Sequence, residues 1–140
     1  MDDKLRAWHD YCLTGYTVDG GRRQIVFNLV WTYDLETDIR EANVTFSDVE
    51  GYFLQDDLGS NVLYGLEEWP LENFLEKNAA QFEQHFKQAG WPLFWRQNIS
   101  DTLKYLQEKS LRCIEVSSSY GISGWVMARG VTHAGPHAGN

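Results

Sequence analysis

YCLTGYTVDGGRRQIVFNLVWTY, residues 11–33, holds two aromatic-rich alternating runs on either side of Asp19-Gly20-Gly21. Glycines at such a junction tolerate the positive φ that tight hairpin turns demand. From Ile25 onward, Ile25, Phe27, Leu29, Trp31 and Tyr33 share one parity, which on a strand puts them on one face. The stretch therefore predicts a hairpin with strands near 9–18 and 23–33.

Working outward, Asp34 to Asp38 reads as a charged loop, and 42–49 as a third strand in which Val44 and Phe46 alternate with polar residues. Gly51 offers a bulge or bend, since continued parity would place Asp48 and Glu50 on the apolar face. Residues 52–54 continue extended, 56–61 form a turn, and 62–67 a further strand. Pro70 suits the start of a helix. Leu71, Phe74, Leu75, Asn78, Phe82 and Phe86 then recur at helical spacing up to Gly90, with Asn78 a place where the helix could divide. Trp91-Pro92-Leu93-Phe94-Trp95 is irregular and apolar, which suits a plug for one end of the core. Ser100 is the expected cap of a short helix to Lys109, with Leu103 and Leu106 inward. Residues 111–116 and 124–131 read as a closing strand pair.

This order predicts an α+β domain: a mainly antiparallel sheet with helices inserted between the N-terminal strands and a C-terminal strand pair. With 140 residues, the chain suits one domain, over 1–132, followed by a flexible tail at 133–140 that has few anchoring groups. Six Trp, seven Tyr and seven Phe supply core and strand-face area and could also furnish binding surfaces.

The net charge of −8, with Lys and Arg scattered, argues against nucleic-acid binding. The same charge attracts a basic partner, although solubility alone also explains it. The N-terminus lacks the apolar segment of a signal peptide, and no apolar run reaches the ~20 residues that cross a bilayer. The expectation is a cytoplasmic protein without a membrane contact. Cys12 and Cys113 stand far apart with no CxxC, so two reduced thiols are the simplest reading, with a disulfide left open.

Catalytic patterns fail one by one. Gly121-Ile122-Ser123-Gly124 resembles a nucleophile elbow, yet Trp125 takes the place of its last glycine. Asp34, Glu36 and Asp38 have EF-hand spacing, but Ile39 stands where that loop needs glycine. Asp48 and Glu50 would share a strand face ~7 Å apart, as ordinary solvated acids or as a cation site. No zinc spacing or phosphate loop exists, so no cofactor, metal or catalytic residue is assigned.

Two readings remain. One is a non-enzymatic protein-binding domain that meets a basic partner through Asp34, Glu36, Asp38, Asp56 and Asp57. The other is a small-ligand binder or enzyme with a pocket walled by Trp8, His9, Trp91, Trp95 and Trp125. Hydrated loops and ordinary core packing explain the same residues without a ligand.

The order Trp8-His9-Asp10, a Val18-Asp19-Gly20-Gly21 hairpin, Val44 to Phe53 (VTFSDVEGYF) and Asn61-Val62-Leu63-Tyr64 resembles a group of small uncharacterised bacterial proteins. Some relatives of that kind resemble immunity proteins, which neutralise a co-encoded toxin in the cytoplasm. The likeness spans about the first half of the chain. It implies a bacterial origin and an immunity-like role as inhibitor of a basic toxin, and supplies no catalytic residue.

Overall fold

The computed structural model describes residues 8–34 and 38–135, with side chains described for 8–31 and 40–135. The elements run β1 (Cys12–Asp19), β2 (Gln24–Asp34), β3 (Asp38–Gln55), β4 (Asn61–Trp69), α1 (Leu71–Ala89), α2 (Ile99–Glu108), β5 (Arg112–Tyr120) and β6 (Ser123–Ala134). All strand pairs are antiparallel, and their order β1-β2-β3-β6-β5-β4 closes into a barrel. The α+β expectation is thereby corrected: the molecule is a six-stranded β-barrel carrying two helices on its outside. The closing contact is what alternation cannot reveal. It joins Cys12 to Val62 and Leu13 to Asn61 in register, and backbone hydrogen bonds from Leu63 N to Tyr11 O and from Asp10 N to Leu63 O, at 2.9 and 2.8 Å, extend it.

The opening hairpin turns through residues 20–23. Arg22 N donates to Asp19 Oδ1 at 3.1 Å, and Arg23 adopts a left-handed φ of 53°. Beyond the turn, Ile25 pairs with Phe46 and Phe27 with Val44, so the parity of β2 meets that of β3 inside the barrel. Phe27 and Phe46 pack edge to face at 4.9 Å. With Trp8, Tyr11, Leu13, Leu66, Ile114, Val116 and Val126 they form the buried barrel core. A six-stranded barrel is narrow enough for side chains to fill.

A second core lies outside the barrel wall. Alternate residues of β5 and β6 face opposite ways: Ile114, Val126 and Ala128 point inward, while Cys113, Trp125 and Met127 meet the helices. Helix α1 contributes Phe74, Leu75 and Phe82, the residues that helical spacing predicts. Asn78 does not divide it. Its Nδ2 donates to the Phe74 carbonyl at 2.8 Å, keeping the amide satisfied within one continuous helix. Gly90, at φ 67°, ends the helix and donates its N–H to Phe86 O.

The cap of α2 is Asn98 in place of the expected Ser100, because its Oδ1 accepts from Asp101 N at 2.7 Å. The segment 91–95 does not plug the barrel. Phe94 and Trp95 are buried in the second core, and Trp95 Nε1 donates to Glu83 Oε2 at 2.7 Å, fastening the segment to α1. Strand β6 carries the chain through Ala134, so His133 and Ala134 belong to the sheet; His137 lies outside the described residues.

Asn61 organises the barrel seam. Its Nδ2 donates to the Leu13 carbonyl and to Asp57 Oδ1, at 3.2 and 3.0 Å. Its Oδ1 accepts from Leu58 N and Ile122 N, at 3.0 and 2.9 Å. One 2% exposed amide thus links β1, the β3–β4 turn, and the turn between β5 and β6. Gly121, at φ 107°, makes room for it: an added Cβ would lie 2.2 Å from Asn61 Oδ1.

Candidate functional site

The expected strand face shared by Asp48 and Glu50 is broken by a bulge. The β3–β6 register shifts between Val49 and Gly51, and Asp48 adopts φ 51°. Arg23 stitches the hairpin tip to that bulge. Val49 N donates to Arg23 O, and Arg23 Nε donates to Val49 O, each at 2.9 Å. Asp48 is therefore exposed, while Glu50 is half-buried and turns into a groove.

That groove, about 550 Å³, runs between the hairpin tip, the bulged part of β3 and the segment after α1. Ile25, Val49, Phe53 and Trp91 are among its lining residues, and Val18, Tyr52 and Leu93 line it as well. These last three are 41%, 38% and 66% exposed. Its charged or titratable groups are Asp19, Arg23, Glu50, Tyr52 and His85. His85 packs against Trp91 with ring centroids 5.7 Å apart. Among the described residues no ion pair engages Glu50.

A smaller cleft of about 330 Å³ lies on the other side of Phe53 and Trp91, which border both. Trp91 stacks on Trp125 at 5.8 Å and 25°.

The five residues of the aromatic-wall reading do not come together. Trp8 is inside the barrel, edge-on to Tyr11 at 5.0 Å. His9 is exposed, and its Nδ1 lies 3.0 Å from the Tyr64 carbonyl, so that nitrogen carries the proton. Asp10 approaches its other nitrogen at 3.6 Å. Trp95 is buried under α1, leaving Trp91 in both clefts and Trp125 in the smaller one.

The acidic candidates are likewise spread. Asp34 and Asp38 face each other in register at the β2–β3 junction, their side chains outside the described set; Glu36 lies outside the described residues. Asp56 and Asp57 follow the far end of β3, so the two turns sit at opposite ends of the longest strand. Asp56 is exposed at φ 62°. Asp57 has an internal role: hydrogen bonds from Asn61 and the Gly59 N–H hold its carboxyl below the usual range, against a small opposing effect of burial. It also pushes the Tyr16 phenol up, behind burial as the larger cause and ahead of Tyr52.

The groove was not legible from spacing. Its parts come from residues 18–25, 49–53, 85 and 91–93, and the only sequence hint was the conflict of parity at Asp48 and Glu50. No group of three His, Cys, Asp or Glu among the described residues could hold a metal ion. No helix among them is long and apolar enough to cross a membrane.

Cys12 and Cys113 are both free thiols, which settles the question left open by their spacing. Cys113 sits in the second core, where burial first, then Glu115 and Glu68, push its pKa far up. Because the thiolate is the nucleophile, Cys113 should resist iodoacetamide in the native protein and react fully in guanidinium. Peptide mapping by mass spectrometry reads this directly, and native labelling of Cys113 as fast as in guanidinium would contradict its burial.

No known protein family matches the chain, and no curated protein or solved structure does either.

Proposed function

We propose that the protein is a non-catalytic binding domain whose large groove takes an apolar segment of a partner chain flanked by basic residues. The observation that carries this is the convergence of Val18, Tyr52 and Leu93, all exposed, on one groove. Single exposed apolar residues are ordinary, whereas several around one concavity favour association. Their exposure leaves the groove open to solvent, which suits an anchor from another chain better than an enclosed small molecule.

Charge supplies the partner's sign. Asp19 and Glu50 border the groove, the chain carries −8 in total, and Arg23 has its Nε turned to Val49 O. Long-range attraction then raises the encounter rate of a basic chain, and desolvated apolar anchors hold it. In the narrower form implied by the first-half resemblance, that chain is a basic toxin and the domain its inhibitor.

Immobilised protein and its Leu93→Asp variant should differ in what they retain from a lysate, and the retained chain, once purified, is titrated back. Leu93 is 66% exposed, so the variant should fold normally yet bind at least roughly tenfold more weakly, as expected for an interface anchor. Binding should also weaken from about 0.1 M to 1 M salt as the Debye length contracts from ~10 to ~3 Å. Equal binding by the variant, or indifference to salt, would reject this reading.

A further inference from the structure

We propose that the smaller cleft, between α1 and the outer face of β3, β6 and β5, is a binding site for a neutral saccharide. The inference is independent of the groove and of its protein partner.

The outer face of this sheet changes character along its strands. Trp125, Cys113 and Met127 are apolar where the second core covers them. Further along β5 and β6, the same face presents Glu115, Ser117 and Ser123; all three line the cleft beside Gln55, with the Ser117 hydroxyl donating to the Gly65 carbonyl at 3.4 Å. Gln55 stands directly opposite Ser123 across the β3–β6 ladder, as Phe53 stands opposite Trp125. Helix α1 approaches with Lys77, Asn78 and Gln81, and a volume of about 330 Å³ stays open between helix and strands.

What lines the gap selects the ligand class. Trp69 and Trp91, both half-buried, bring aromatic surface to the gap, the kind on which the C–H face of a sugar ring can lie, while Trp125 is buried behind Trp91 and stacks on it. Gln55 and Gln81 each bring a donor and an acceptor, Ser123 a hydroxyl, and Glu115 an acceptor-only carboxylate. Among the described residues no side-chain hydrogen bond or ion pair engages these four. Their polar atoms therefore retain capacity for a ligand rich in hydroxyl groups.

Other chemistries fit less well. An anion would meet the Glu115 carboxylate, while the Lys77 ammonium lies over the Trp69 ring at 5.1 Å. A purely apolar ligand would bury the amides and the carboxylate unpaired, at a cost of several kcal/mol. The volume falls at the low end of ligand pockets, roughly 300–1,000 Å³, which suits one or two sugar rings.

Saturation-transfer difference NMR on the full chain tests this with glucose, N-acetylglucosamine, maltose and cellobiose as probes. At least one should receive saturation, and its affinity should fall about tenfold in Glu115→Ala and in Gln81→Ala, the loss expected for one charged or well-aligned hydrogen bond. Gln81 is exposed on α1, so that variant keeps the test valid if Glu115→Ala does not fold. Leu93→Asp, in the other groove, should bind the sugar as wild type does. Absence of transfer to all four sugars, or transfer unchanged in a folded Gln81→Ala protein, would overturn the proposal.

Discussion

Asn61→Ala should lower the stability of the domain by about 3 kcal/mol and its melting temperature by roughly 10 °C. The substitution removes four hydrogen bonds, two of them to the buried Leu13 carbonyl and Ile122 amide. Each buried group left without a partner costs about 1–3 kcal/mol, which exceeds the ordinary net value of a hydrogen bond. Chemical denaturation followed by circular dichroism measures the difference. A loss under about 1 kcal/mol would mean that the seam does not depend on this amide.

Asn61→Asp makes the sharper test, because it keeps the acceptor and removes the donor. Its carboxylate would face the oxygen of Asp57 that now accepts from Asn61 Nδ2 at 3.0 Å. In the wild type the Asp57 pKa is lowered. Its contribution is therefore present above the ordinary carboxylate range and lost as pH falls through the folded value. In the variant, two neighbouring carboxylates repel, and protonating one relieves the conflict. The stability gap between variant and wild type should hence narrow from pH 7 to pH 4. A gap that widens on acidification would contradict the hydrogen-bond assignment.

Phe82→Ala should cost about 3–5 kcal/mol, the range for removing a buried aromatic side chain. Phe82 is 1% exposed and packs against five rings, those of Phe74, Trp91, Phe94, Trp95 and Trp125, at 5.6–6.0 Å. None of the five lies in the barrel core, so the damage should be local. Native-state hydrogen exchange should show amides of α1 and α2 losing protection while β2 and its partner strands keep theirs. Phe27→Ala, inside the barrel, should lower protection throughout. Equal loss of protection everywhere in Phe82→Ala would show that the two cores unfold as one.

Much of the local structure was legible because period and punctuation agree. Asp19-Gly20-Gly21 marks the first turn, the parity of Ile25, Phe27 and Leu29 marks the buried face, and Phe74, Leu75 and Phe82 mark the helix stripe. Closure was not legible. The residues that seal the barrel, Cys12 and Leu13 with Asn61 and Val62, are about fifty positions apart, and alternation says only which face a strand buries. Asn61 itself carries the signal of a turn residue, which hides its buried role. The conflict of parity at Asp48 and Glu50 was visible, and the bulge at Gly51 resolves it; that a groove forms there depends on Leu93 and Trp91, some forty residues on. Trp8, Trp95 and Trp125 look alike in sequence, yet lie on different sides of one wall.

The seam between β1 and β4 holds two ladder pairs and two further backbone hydrogen bonds, Leu63 N to Tyr11 O and Asp10 N to Leu63 O, whereas β3 and β6 are matched over most of their length. A cylinder fastened so narrowly opens like a coat at its one short row of buttons. When it does, the ring becomes a ribbon with two free margins, each offering unpaired N–H and C=O groups to a neighbour. Crowded molecules would then exchange margins instead of reclosing, so the same few atoms around Asn61 oppose strand exchange as much as they hold the shape.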